Sequence, residues 1–93
     1  MPHCQHALKV QRPDEANKII AQIAVEYFRA QDAYPLTDGM WNIDGGENNV
    51  RAIHRDNNGI IKFFCRYEGD LPRTEAKIAD FASKHDGECS LID

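Results

Sequence analysis

The dipeptide Asn58-Gly59 constrains this chain more than any other feature. Asn-Gly suits the left-handed backbone of a two-residue type I′ hairpin turn, and here it lies between two strand-like runs, residues 49–56 and 60–68. Such a turn sets a register in which Arg55 opposes Lys62, Ile53 opposes Phe64 and Arg51 opposes Arg66. On the other face His54 meets Phe63, Ala52 meets Cys65 and Val50 meets Tyr67, a nearly apolar set that predicts the core side. Upstream, Gly45-Gly46-Glu47-Asn48 is a second turn signal. It places Asp44 opposite Asn49, Asn42 opposite Arg51 and Met40 opposite Ile53, with Trp41 and Ile43 on the core face. Three runs joined by two turns predict a three-stranded antiparallel meander.

Helical periodicity flanks the meander. Pro13 suits a first helical turn, and Asp14 and Glu15 complement the positive end of the helix dipole. Ala16, Ile19, Ile20, Ile23, Ala24, Tyr27 and Phe28 then form one apolar stripe, with Ala33-Tyr34-Pro35 expected to end the helix. Leu71 and Pro72 open a second helix with Ala76, Ile78, Ala79, Phe81 and Ala82 inward, closed by His85 and Gly87. Both helices are expected on one face of the meander. Residues 3–11 alternate, Cys4, His6, Leu8 and Val10 against His3, Gln5, Ala7 and Lys9, as a half-buried strand does, and residues 88–92 read as a short last strand. The fold class is therefore α+β over residues 1–93 as a single domain. With both end strands the order is βαβββαβ, a ferredoxin-like variant; without them it is αβββα.

Several functional classes fall away on composition. The apolar stretches near Ile19 and Ile60 are broken by Gln22 and Lys62, far short of the roughly 20 residues that span a bilayer, so no membrane association is expected. The first residues, Met-Pro-His-Cys-Gln-His, carry neither a basic leader nor an apolar run. Cys4, Cys65 and Cys89 are an odd count without CxxC spacing, which fits reduced thiols and a cytoplasmic location. The net charge of −4 makes the chain acidic and argues against general attraction to nucleic acid.

Charge distribution says more than the total. Residues 49–66 hold Arg51, Arg55, Lys62 and Arg66 against Asp56 alone, so this stretch carries +3 and the rest of the chain −7. On the register above, the sheet face away from the helices bears an apolar row, Met40, Ile53 and Phe64, flanked by Arg51 and Arg66 on one side and by Arg55 and Lys62 on the other. Like charges placed directly opposite are unfavourable unless an anionic surface meets them. These seven residues are the candidate binding site, and the expected function is a small non-enzymatic interaction or regulatory module that binds a protein partner or a second copy of itself.

Other chemistries are less well furnished. His54, Cys65 and Tyr67 are the candidates for catalysis, and His54, Trp41 and Tyr67 for a ligand or cofactor-independent enzyme pocket between sheet and helices. No Ser/His/Asp set, paired-carboxylate signature or phosphate-binding loop accompanies them, so no catalytic residue and no cofactor are assigned. His3, Cys4 and His6, with or without Cys89, do not share one face of a strand, and Pro2 lacks the amide that an amino-terminal copper site needs, so no metal is assigned. Residues 60–67 lack the small residue that the RNP1 pattern requires after its basic position, leaving single-stranded nucleic acid on Phe64 as a minor alternative.

Overall fold

The computed structural model describes residues 3–30, 32–36, 39–44 and 50–92. Six strands and two helices follow in the order β1 (Ala7–Val10), α1 (Ala16–Phe28), β2 (Asp32–Pro35), β3 (Met40–Asp44), β4 (Val50–Arg55), β5 (Ile60–Cys65), α2 (Leu71–Lys84) and β6 (Cys89–Ile92). One turn of 3₁₀ helix leads into each α-helix, at Pro13–Glu15 and at Glu68–Asp70. All strands join a single antiparallel sheet ordered β2-β3-β4-β5-β1-β6. The meander has four strands rather than the expected three. Both terminal segments extend it, because β1 inserts between β5 and β6.

The β4–β5 turn is not the expected two-residue type. One carboxylate oxygen of Asp56, Oδ1, accepts the backbone N–H groups of Asn58 and Ile60, each at 2.9 Å, while the Asp56 N–H donates to the Ile60 carbonyl at 3.0 Å. Gly59, at φ +85°, closes a three-residue loop in the left-handed region. The extra loop residue slides β4 by one position against β5, and a one-residue slip reverses the side to which a strand's residues project. Ile53 therefore pairs with Phe63, Ala52 with Phe64, His54 with Lys62 and Arg55 with Ile61. Ile53, expected on the open face, is fully buried with Phe63 and Ile61 in the core. Arg55, also expected on the open face, shares the helix-side face with Ile61. Its Nε is buried without a hydrogen-bond partner.

Arg51 is the extra residue of a bulge between Val50 and Ala52, and the bulge restores the alternation expected beyond it. Val50 thus faces the core opposite Cys65, and Arg51 remains exposed. On β3, Trp41 and Ile43 are buried as the alternation requires, although Met40 pairs with His54 rather than Ile53. The 45–48 loop and Asn49 lie outside the described residues.

Helix α1 buries Ala16, Ile19, Ile20, Ile23, Ala24 and Phe28 along the expected stripe. It stops earlier than expected, at Arg29, whose φ of +50° makes a left-handed cap that lets the Ala30 N–H reach the Ala24 carbonyl at 3.0 Å. Ala33, Tyr34 and Pro35 belong instead to edge strand β2, where a proline's missing donor does little harm. In α2 the buried positions are Thr74, Ile78, Phe81 and Ala82, whereas Ala76 is exposed, contrary to expectation. Across the core, the Phe28 and Phe63 rings meet edge-on at 5.9 Å. Between the helices the Tyr27 hydroxyl donates to Asp80 at 2.7 Å and Lys77 Nζ donates to the Tyr27 carbonyl, while within α2 Lys84 pairs with Asp80 at 3.3 Å.

Two outcomes follow from this packing. Ile53→Ala should destabilise the fold by about 2–5 kcal/mol in urea denaturation, and Phe64→Ala by well under half as much; the reverse ranking would disprove the observed register. The Asp80 carboxyl is held below its ordinary range first by the Tyr27 hydroxyl and then by Lys84, a contribution present at neutral pH and lost as pH falls through the lowered pKa. Tyr27→Phe should therefore raise the Asp80 midpoint in a carbon-detected NMR titration.

Candidate functional site

With both helices packed on one side, the sheet presents its other side in parallel rows. Strand β5 contributes Ile60, Lys62 and Phe64, continued past its end by Arg66. Strand β4 contributes Ala52 and His54, with Arg51 at the bulge, and β3 contributes Met40 and Asn42. Beyond β5 lie Ala7 and Lys9 of β1, then Ser90 and Ile92 of β6. At the opposite margin the Asn42 amide donates to the Tyr34 hydroxyl of β2 at 3.0 Å. Met40, His54, Ile60, Phe64 and Ile92 are half-buried, but the expected row Met40-Ile53-Phe64 is not formed: across the strands Met40 is followed by His54 and Lys62, and Asn42 by Ala52 and Phe64, so apolar and polar side chains interleave.

The cations around that surface are exposed and unengaged. Among the described residues, Lys9, Arg51, Lys62 and Arg66 form no ion pair or side-chain hydrogen bond. On the helical side Arg12 lies 3.9 Å from Glu15, Lys84 pairs with Asp80 and Lys77 is held by a backbone carbonyl, while exposed Lys18 and Arg73 form no ion pair or side-chain hydrogen bond among the described residues. Of the seven residues singled out from the sequence, Met40, Arg51, Lys62, Phe64 and Arg66 are placed on or at the end of this face, while Ile53 and Arg55 are turned to the helix side. His54, Ile60 and Lys9 join the face instead. The alternation of residues 3–11 was the sequence signal for Lys9, and the alternation of Ile60 with Lys62 and Phe64 was that for Ile60; His54 had none once the turn was read as two residues.

The amino-terminal segment borders the same surface. His3 forms an isolated bridge with Phe64, with ring centroids 6.2 Å apart, and the Cys4 N–H donates to the Phe63 carbonyl at 2.9 Å. The Gln5 N–H is taken by Glu75 of α2 at 2.8 Å. Cys4 Sγ lies 4.0 Å from Cys65 Sγ, and the Cys65 thiol donates to the buried Thr74 hydroxyl at 3.3 Å. Burial pushes the Cys4 thiol well above its ordinary range, Cys65 beside it adds to the effect, and burial likewise raises Cys89. All three thiols are free and buried.

The residues considered for catalysis or a ligand pocket are dispersed. Trp41 and Cys65 lie in the core, Tyr67 is 61% exposed beyond β5, and His54 lies on the open side, not beneath the helices. His54 does border a cavity of about 400 Å3 with Gly39, Arg55, Asp56 and Asn57. The cavity holds no nucleophile–base pair among the described residues, and Asp56 Oδ1 is already taken by two backbone donors. Gly39 is there for the backbone: it sits at φ +79°, and a Cβ would collide with the Arg55 carbonyl oxygen. No group of three or more His, Cys, Asp or Glu residues is placed to hold a metal, and no helix is long and apolar enough to cross a membrane, among the described residues.

Because the thiols are buried, iodoacetamide should label none of Cys4, Cys65 and Cys89 appreciably in native protein at neutral pH, and all three in denaturant. Rapid native labelling of Cys4, read by mass spectrometry, would mean that the amino-terminal segment leaves β5. Comparison with protein-family models, curated proteins and solved structures finds no match to this chain.

Proposed function

We propose that this protein is a small non-enzymatic interaction module whose open sheet face docks an acidic surface of another protein. The observation that carries the reading is one contiguous face on which half-buried Met40, Ile60 and Phe64 lie among four exposed cations without partners, Lys9, Arg51, Lys62 and Arg66. Apolar side chains interleaved with unpaired cations suit a contact whose partner brings both hydrocarbon and negative charge. Exposed charges that satisfy nothing internally add little to stability, and their effect lies in steering and selecting a partner of opposite sign. A second copy is the less favoured partner for this face, since a two-fold face-to-face contact repeats the same patch and brings like cations together. The run β6-β1-β5-β4 supports a ferredoxin-like lineage for the scaffold, with the β2-β3 hairpin added at one edge. Buried free thiols suit work in a reducing cytoplasm.

Affinity capture with wild type, Phe64→Arg and Arg51→Glu/Arg66→Glu as parallel baits tests the reading, alongside light scattering of each bait. Wild type should run as a monomer and retain an acidic protein whose affinity falls about 30-fold or more in both variants. Partners retained equally by all three baits would overturn the face as the docking site. A wild-type dimer that Phe64→Arg converts to a folded monomer would assign the face to self-association instead.

A further inference from the structure

The join between the amino-terminal segment and β5 contains a mismatch. His3 pairs with Phe64 and Leu8 with Ile61, so the chain takes five steps from residue 3 to residue 8 while β5 takes three from 64 to 61. The two surplus residues are taken up in a bend at Gln5, and beside that bend the open face is indented by a cavity of about 290 Å3. Its floor is apolar: Ala7 is buried, and Ile60 and Ile92 are half-buried. Its rim carries His3 and the ammonium of Lys62, both exposed. Among the described residues, no carboxylate lines it.

We infer that this cavity is the anchor point of the docking face, receiving from the partner protein an apolar side chain of leucine size that stands next to a carboxylate. The inference rests on the interaction reading above and adds the chemistry of the contact. The side chain fills the space over Ala7, Ile60 and Ile92, where burial of its hydrocarbon drives binding. The neighbouring carboxylate meets Lys62, which has no ion-pair partner among the described residues. The hydrocarbon floor sets the depth of insertion, and the single cation on the rim sets its direction. A purely apolar segment would leave Lys62 uncompensated, and a purely acidic one would leave the floor wet.

The test is a titration of the isotope-labelled full chain, followed by amide chemical shifts, with 4-methylpentanoate and its neutral analogue 4-methylpentanamide as probes. Shifts should concentrate at Ala7, Ile60, Lys62 and Ile92, with the acid bound about fivefold more tightly than the amide, the fold-change expected of one exposed ion pair. Lys62→Gln, a surface change that leaves the fold intact, should bring that ratio to one without abolishing binding of the amide. The capped dipeptide acetyl-Leu-Glu-amide should bind at least as tightly as the free acid. Equal binding of acid and amide to wild type, or shifts centred elsewhere, would overturn the anchor; a free acid bound far more tightly than the dipeptide would make the cavity a metabolite site and overturn it equally. Because Phe64 and Arg51 lie outside the cavity, a failure here leaves capture by the wider face to be judged separately, through Phe64→Arg.

Discussion

A single carboxylate oxygen sets the geometry on which the rest of the molecule depends. By accepting the backbone donors of Asn58 and Ile60, Asp56 Oδ1 selects a three-residue loop over the two-residue turn that Asn58-Gly59 would otherwise form. That selection decides which of two alternating sets of β4 side chains enters the core. With Ile53 inside, opposite Phe63, the sheet offers α1 a continuous apolar floor, and Phe28 packs edge-on against it. With the other set inside, His54 would have to be desolvated beneath the helices at a cost of roughly 1–3 kcal/mol if left without a partner. Local turn chemistry and global burial agree on the same register, which is the consistency expected of a sequence with one native fold.

The bulge at Arg51 then performs a second correction. Without it, Val50 would follow Ala52 onto the open side and leave a gap beneath α1. With it, Val50 returns to the core, and an arginine stands where the chain is locally out of step. The placing of the β4 cations follows from these two irregularities together. On the helical side Arg12 and Lys84 have Glu15 and Asp80 as neighbours, whereas, among the described residues, Lys18, Arg73 and the buried Nε of Arg55 have no partner, and the exposed cations of the sheet side have none either.

What could be read from the sequence was whatever depends on periodicity alone. The stripe of α1, the inward sides of β3 and β5, and the alternation of β1 all rest on repeated spacing and were recovered within those elements, whereas Tyr67, expected inward, is exposed past the end of β5, and the alternation expected from His3 onward is broken at Gln5. What could not be read depended on choices among near-equal local options. The end of α1 turns on Arg29 entering the left-handed region, a conformation that an arginine side chain does not advertise. Strand β2 was hidden because Ala33-Tyr34-Pro35 looks like a helix stop, and its pairing with β3 is a tertiary fact. The two candidate binding residues displaced from the face, Ile53 and Arg55, both fell to the turn. The cavity beside Gln5 depends on a mismatch between segments more than fifty residues apart, which no local window can register.

The position of β1 in the sheet bears on how the chain is made. Of the six described strands this one is synthesised first, yet its neighbours are β5 and β6, so its pairing waits until nearly all the other described elements have followed. The β2–β5 meander can form from sequential hairpins, but closing the molecule around β1 requires contacts between distant parts of the chain, a feature of slower folding. During that interval Leu8 and Val10, later fully covered, are bare. The nascent segment carries Lys9 between them and Arg12 just beyond. Those two charges would then act as gatekeepers against premature strand pairing on the ribosome.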